Sequence, residues 1–127
     1  MPIVKRLQHT SVPMPPGGEE RARSFYGGAL GMREIPKPST LKNNLVWFAA
    51  NDHGDEVHVF QEENMGSHST AQHLCLEVDD IEAFGARLLE HGYTPRTAEV
   101  IHNRPRLFVR DPFDNLVELV EIRGQYT

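Results

Sequence analysis

The sequence is short of several residue types, and each shortage excludes a class of protein. Cys75 is the only cysteine among the 127 residues, so an intrachain disulfide is impossible. Thirteen Lys and Arg residues against 18 Asp and Glu residues give a net charge of −5, with no basic block or stripe. This charge pattern does not suit binding to nucleic acid or to an anionic membrane, and we expect neither partner.

Long apolar runs are lacking as well. No stretch approaches the roughly 20 apolar residues that are needed to cross a bilayer. Residues 1–6 (MPIVKR) carry a basic pair without the apolar segment that follows it in a signal peptide. We therefore expect a cytoplasmic protein. The length and the content of hydrophobic (39%) and charged (24%) residues are typical of one globular domain.

Histidine, in contrast, is abundant, and two of the seven histidines lie in similar surroundings. His9 lies in residues 8–12 (QHTSV), and His73 lies in residues 72–76 (QHLCL), which is 64 positions further along (9 to 73). A shared dipeptide means little alone, so the segments that follow each copy decide whether the chain contains a repeat.

Each copy is followed by apolar residues at the spacing of one helix face. They are Ala22, Phe25, Tyr26, Ala29 and Leu30 in the first copy, and Ile81, Phe84, Leu88 and Leu89 in the second. Gly31 and Gly92 are typical of helix ends, and Asp79 with Glu82 predicts a capping box. Both copies therefore predict a strand followed by a helix of about three turns.

The later parts of the copies correspond at an offset of 60 residues. The matching segments are residues 46–49 with 106–109, 51–55 with 111–115, and 56–60 with 116–120. The middle segments are rich in turn-forming residues between apolar runs, which predicts a hairpin in each half. One further strand in each half is expected near residues 32–35 and 94–100.

Each half therefore predicts a βαβββ unit, and the whole chain predicts an α+β fold of two such modules in tandem. We expect the first module at residues 1–63, a polar linker at 64–69 and the second module at 70–127. A half of this length would bury too little surface to be stable alone, so the modules must share one core within a single domain.

The repeat also brings together side chains that bind metals. Successive side chains of a strand alternate between its faces, which places His73 opposite the apolar side chains of its strand. Glu118 is the one ionisable side chain on an otherwise apolar face, where an unpaired carboxylate is costly to desolvate. The repeat makes His9 the counterpart of His73, and His58 the counterpart of Glu118.

Two modules related by a pseudo-twofold axis would let these four side chains converge on one ion. Three imidazoles and a carboxylate suit Zn²⁺, Ni²⁺, Co²⁺, Mn²⁺ or Fe²⁺ better than Mg²⁺ or Ca²⁺, which prefer oxygen ligands. We therefore expect one divalent transition metal at His9, His58, His73 and Glu118. Glu56, two residues before His58 on the same face, is the alternative to His58.

Four motifs carry a resemblance to a known family: residues 8–10 (QHT), 23–31 (RSFYGGALG), 73–80 (HLCLEVDD) and 111–119 (DPFDNLVEL). In this order they resemble the vicinal oxygen chelate superfamily, which includes glyoxalases, bleomycin-resistance proteins and extradiol dioxygenases. The resemblance implies that the paired modules form an open, barrel-like cup around the metal. It also implies that His9, His73 and Glu118 are ligands, with His58 in the place of a fourth. Asp114 stands where the family usually has glycine in the turn.

The resemblance implies a homodimer, in some relatives with modules exchanged between subunits, so the site could mix chains. For function we expect an isomerase, lyase or epimerase that binds two neighbouring oxygens of a small organic substrate on the metal and stabilises an enediolate. Glu118 or Glu56 would shuttle the proton. Trp47 and Phe60 would line the substrate pocket if they are not core residues, and Arg106 would bind a substrate carboxylate or phosphate.

Two alternatives stay open at this point. An Fe²⁺ extradiol-type dioxygenase needs only His9, His73 and Glu118, with the remaining positions free for a catechol and oxygen. A small-molecule binding protein of the resistance type needs no complete metal shell, so the intact ligand set counts against it.

Overall fold

The computed structural model describes residues 1–66 and 71–127. In these residues the elements follow the order β1 (His9–Met14), α1 (Glu19–Ala22) with a π-helical continuation (Arg23–Ala29), β2 (Arg33–Ile35), β3 (Leu45–Ala49), β4 (Glu56–Gln61), β5 (His73–Glu77), α2 (Ile81–Glu90), β6 (Arg106–Arg110) and β7 (Leu116–Val120). The expected linker at residues 64–69 overlaps residues 67–70, which lie outside the described part.

The strands form two sheets with the same arrangement. One sheet has the order β1-β4-β3-β2, and the other has the order β5-β7-β6. In both sheets the first strand of the module runs parallel to its last strand, and the remaining pairs are antiparallel. The predicted α+β fold of two tandem modules is therefore confirmed, as an open cup whose sheets do not close into a barrel.

The second module lacks one predicted strand. Residues 94–100 contribute only an isolated bridge between Arg96 and Phe108, with the backbone hydrogen bonds Arg96 N to Phe108 O at 2.7 Å and Phe108 N to Arg96 O at 2.8 Å. Pro95 directly before the bridge has no N–H to extend the ladder. The corresponding strand of the first module, β2, forms at Arg33–Ile35 as predicted.

The predicted alignment of β3 with β6 is wrong by one residue. Trp47 lies opposite His58, and Phe108 lies opposite Glu118, so Trp47 corresponds to Phe108 rather than to Leu107. The reason is hairpin length, because the first hairpin loop spans residues 50–55 and the second only residues 111–115. A shift of one residue moves every side chain of a strand to the other face.

The helical stripe of the first module is confirmed, and that of the second is confirmed in part. All five predicted residues of the first helix are buried, although its second half is π-helical, with Leu30 N bonded to Phe25 O at 2.9 Å. In α2, the prediction that Leu89 is buried is wrong, because the residue is 60% exposed. The helix is capped by Asp80, whose carboxylate accepts from Ala83 N at 3.0 Å, rather than by Asp79.

The two modules share one hydrophobic core and are joined by a buried polar network. Tyr26 in the first module donates its hydroxyl to Asp111 Oδ2 in the second at 2.7 Å. Asn115 donates its amide to the same carboxylate at 2.8 Å and to the Pro13 carbonyl of β1 at 2.9 Å. In the described residues, no helix has the length and apolar character that a membrane span requires.

Candidate metal centre

The first cluster consists of His9, Trp47, Glu56 and His58. Alternation along the strands places these side chains on the face turned away from the helices, because Val57 and Val59 on the other face are in the core. The buried ring of His58 lies between Trp47, with ring centroids 3.6 Å apart, and His9, with centroids 4.2 Å apart.

The carboxylate of Glu56 holds the ring of His58 in place. His58 Nε2 donates to Glu56 Oε1 at 2.8 Å. Glu56 also lies directly opposite His9 in the register of β1 with β4. The alternative that the sequence left open, His58 or Glu56, therefore involves two side chains that are in contact with each other.

The second cluster consists of His73, Cys75, Arg106 and Glu118. The residue Glu118 is 7% exposed, and its carboxylate has His73 Nε2 2.8 Å from Oε1 and Arg106 Nη1 3.3 Å from Oε2. Cys75 lies opposite Glu118 in the sheet. Burial, with a contribution from Glu118, raises the pKa of the Cys75 thiol to about 11.

The two clusters occupy equivalent places in their modules. Ser11 pairs with His58 and Cys75 pairs with Glu118, so in each sheet the histidine of the first strand is diagonal to the candidate ligand of the last strand. Among the described residues of one chain, however, no group of three or more His, Cys, Asp or Glu side chains is arranged to hold a metal ion. A single chain thus presents the four predicted ligands as two pairs.

The orientation of two histidines fits a metal. His9 Nδ1 lies 2.6 Å from Gln8 Oε1, and His73 Nδ1 lies 2.7 Å from the carbonyl of Ala71. Both partners are acceptors, so each Nδ1 carries the proton and donates it. Metal-binding histidines are oriented in this way, with the second ring nitrogen left for the ion.

The contact between His73 and Glu118 also calls for a cation. With its Nδ1 proton donated to Ala71, His73 would present a bare Nε2 to the carboxylate oxygen 2.8 Å away, and two acceptors repel each other. A metal ion shared by the two atoms would remove this repulsion. The donor chemistry of His9, His73 and Glu118 therefore fits a divalent transition metal.

His58 fits less directly. Its Nε2 is hydrogen bonded to Glu56. Its ring is also stacked on that of His9, so the nitrogen lone pairs of the two rings lie in nearly parallel planes and do not point at a common position. In these rotamers His9 and His58 cannot bind the same ion together. His9 lies at an exposed position, so a shell that includes both histidines needs its ring to turn away from His58 and from its present bond with Gln8.

The remaining predicted site residues lie on the same faces. Phe60 is partly buried on β4 and pairs with Leu45, while Arg106 contacts Glu118. Sequence reasoning missed Gln8 and the Ala71 carbonyl, although the Gln-His dipeptide that occurs twice was a signal for the first. It also missed the stack of Trp47 on His58, which depends on the pairing of β3 with β4, a register that the sequence analysis did not predict.

A cleft of about 640 Å³ runs between the modules. His9, Glu56, His73 and Cys75 line it together with mainly apolar side chains. This volume lies within the range of about 300–1,000 Å³ that is usual for small-molecule sites. The cleft therefore has room for a small organic ligand beside both first strands.

Comparison with known proteins identifies the family. Residues 6–119 match the Glyoxalase/Bleomycin resistance protein/Dioxygenase superfamily. A glyoxalase family protein from Bacillus anthracis is similar at 33% identity and a TM-score of 0.86, over 96% of this chain and 98% of that one. No curated protein is similar enough to match the chain.

More distant structures share the fold. TnmS3, an antibiotic-binding protein from Streptomyces sp. CB03234, has 21% identity and a TM-score of 0.78, over 96% of this chain and 99% of its own. A variant of the fosfomycin resistance protein FosX from Listeria monocytogenes, complexed with Mn(II) and 1S,2S-dihydroxypropylphosphonic acid, has 12% identity and a TM-score of 0.76, over 94% and 93% of the two chains. The match over most of its length and the similarity to the Bacillus protein show that this chain belongs to the Glyoxalase/Bleomycin resistance protein/Dioxygenase superfamily.

Proposed function

We propose that the protein is a metal-dependent isomerase, lyase or epimerase whose metal site forms between two copies of the chain. The contact of His73 Nε2 with Glu118 Oε1, with Nδ1 anchored on Ala71, supports the proposal because two side chains that bind transition metals already lie side by side, 2.8 Å apart. Two ligands are too few for a transition metal. His9 with His58 or Glu56, from a second copy, would complete the shell.

The clusters suit such an assembly. Both clusters lie on the sheet faces turned away from the helices. In each cluster the histidine of the first strand lies diagonal to the candidate ligand of the last strand, His58 or Glu118. A twofold axis that sets the first sheet of one copy against the second sheet of another would generate two identical sites, as a symmetric dimer requires.

The substrate would be a small molecule with oxygens on neighbouring carbons. The metal, when bound, would supply a Lewis acid for these oxygens. Glu56 would take the proton from the carbon beside the carbonyl: His58 holds its Oε1, and within the described residues no donor contacts its other oxygen. The stack of Trp47 on His58 would keep this pair in place, and Phe60 would contribute to the pocket wall.

Metal content tests the site. Mass spectrometry of protein purified without chelator or metal affinity resin should find about one transition-metal ion per chain. His73→Ala and Glu118→Gln should lose it, whereas the control His91→Ala, at the C-terminal end of α2, should keep it. His58→Ala tests the fourth ligand: loss of metal assigns it to His58, whereas retention excludes His58 and leaves either Glu56 or the three-residue set of His9, His73 and Glu118. A wild-type protein that takes up no metal after reconstitution would contradict the proposal.

Proton exchange tests the chemistry. The metal-loaded protein is incubated in D₂O with a panel of α-hydroxy carbonyl compounds and of thiol adducts of α-dicarbonyl compounds. NMR should show that deuterium enters at least one of these compounds at the carbon next to the carbonyl. If His58 is the fourth ligand, Glu56→Gln should keep the metal and slow exchange by about 10²–10⁴-fold, the usual contribution of a general base. Exchange at the wild-type rate in this variant would remove Glu56 from that role.

One observation favours a dioxygenase as the second candidate. Because His58 Nε2 is engaged with Glu56, the ligand set can reduce to His9, His73 and Glu118, which is the two-histidine, one-carboxylate set of non-haem iron oxygenases. Ring cleavage of catechols by the Fe²⁺-loaded protein would support this candidate.

A small-molecule binding protein would also have such a cleft and would lack a three-ligand group within the described part of one chain. High-affinity ligand uptake without metal would support that function.

A further inference from the structure

We infer that Arg106 is a positioning residue for Glu118, which holds one carboxylate oxygen so that the other is presented to the metal as a single ligand atom. The inference rests on the proposed function, because it concerns the same metal site. It assigns to Arg106 a role different from the expected binding of a substrate anion.

The two oxygens of Glu118 have different neighbours. Oε2 accepts from Arg106 Nη1 at 3.3 Å, and Oε1 lies 2.8 Å from His73 Nε2. A carboxylate with one oxygen held by a guanidinium is restrained from rotating and binds an ion through the other oxygen. The oxygen that is left for the ion is the one beside the second ligand, His73.

Arg106 is itself held in place. Its Nη2 donates to the Glu99 carbonyl at 3.0 Å, and its guanidinium carbon lies 5.3 Å from the centroid of the Phe108 ring. Its Nε is buried, with no hydrogen-bond partner among the described residues. Nη1 and Nη2 both donate to protein acceptors, which favours a role toward Glu118 over the capture of a substrate anion.

The internal repeat supports this assignment. By strand register, Arg106 corresponds to Leu45 of the first module, and Glu118 corresponds to His58. The module with a buried carboxylate on its last strand thus has a cation at the diagonal position, and the module with an imidazole there has an apolar residue. Such a paired difference is expected if the arginine offsets the desolvation of Glu118 and orients it.

Titration with Co²⁺ tests the inference, because its visible absorption reports both affinity and coordination geometry. Arg106→Gln should weaken Co²⁺ binding by about 10–100-fold, the usual effect of removing a group that orients a ligand, and should change the visible spectrum. Arg106→Lys keeps the charge but cannot reach Glu118 and Glu99 together, so we expect an intermediate affinity. The matched control is Arg110→Gln: Arg110 lies on the same strand and face, but its guanidinium contacts the Asp114 carbonyl, so affinity and spectrum should stay at wild-type values.

Circular dichroism on each variant separates loss of orientation from loss of fold. If Arg106→Gln does not fold, Arg106→Lys decides, and wild-type affinity and spectrum in the lysine variant would overturn the inference. Wild-type binding by a folded Arg106→Gln variant would overturn it too and would return Arg106 to the substrate-binding role. An absence of Co²⁺ binding by the wild-type protein is a different result, since it would overturn the proposed function and this inference with it.

Discussion

The hydrogen bond from Tyr26 to Asp111 joins the two modules, and we predict how much stability the protein loses when this bond is removed. Tyr26 belongs to the first helix, whereas Asp111 begins the turn between β6 and β7, and the O–H···O distance is 2.7 Å. Tyr26→Phe removes only the hydroxyl. A hydrogen bond to a charged group contributes about 1.5–3 kcal/mol, so we expect the free energy of unfolding at pH 7 to fall by about that amount.

The effect should depend on pH with a definite sign. Burial raises the pKa of Asp111 above its ordinary value of 3.8, while hydrogen bonds from Tyr26, Asn115 and the backbone lower it in part. The folded state therefore holds the proton more tightly than the unfolded chain, and stability falls as the pH rises from about 3.8 through the folded pKa. Tyr26→Phe removes one bond that lowers this pKa. The stability difference between variant and wild type should thus be full at pH 7 and smaller near pH 4.

Urea unfolding of wild type, Tyr26→Phe and Tyr93→Phe at both pH values measures this difference. Tyr93 is the matched control, because its ring packs edge-on against Phe25 with centroids 4.9 Å apart, and its hydroxyl has no hydrogen-bond partner in the described residues. We expect the control to stay within about 0.5 kcal/mol of wild type. A Tyr26→Phe variant that also stays within this margin at both pH values would refute the reasoning.

Three further predictions follow from local geometry. Co²⁺ should quench the fluorescence of Trp47, the only tryptophan, because its ring stacks on His58 at 3.6 Å; unchanged emission in metal-loaded protein would place the ion elsewhere. Asp114→Gly should raise the free energy of unfolding by about 0.5–1 kcal/mol, since Asp114 has a φ of 68°, and calorimetry that shows a loss would contradict this. Gly31→Ala should destabilise the protein by about 1–2 kcal/mol and so lower its melting temperature, because Gly31 has a left-handed φ of 75°. An unchanged melting temperature would contradict this prediction.

Much of the fold could be predicted from the sequence, because burial leaves a periodic trace. The apolar stripe of the first helix and its end at Gly31 were readable, since a helix face and a left-handed glycine have local signatures. The alignment of β3 with β6 was not readable, because the two hairpins differ by one residue and both strands are apolar enough to tolerate either register. Leu89 was predicted to be buried, but the adjacent Leu88 is the buried leucine, since a helical stripe fits either position. Asp79 was predicted as the helix cap, but the adjacent Asp80 is the cap, since either residue of an acidic pair can cap a helix.

The candidate site could be predicted as a set of residues but not as an arrangement. Internal symmetry predicted that His9, His58, His73 and Glu118 converge on one ion, whereas the structure brings His9 to His58 and His73 to Glu118 as two pairs. The hydrogen bonds that orient each ring depend on side-chain rotamers, which leave no pattern in a sequence. Whether the pairs meet across two chains is a property of an assembly, and it stays a prediction.

Subunit mixing tests the central claim, a metal site shared between two chains, most directly. His9→Ala and His73→Ala proteins are prepared separately, mixed under conditions of subunit exchange, supplied with metal, and examined by native mass spectrometry. Each variant alone should bind no metal, whereas every mixed dimer should hold one ion, because one of its two sites receives both wild-type histidines; random mixing should recover about one quarter of the wild-type content. Mixed dimers that form and hold no metal would contradict the account and would place the site within a single chain.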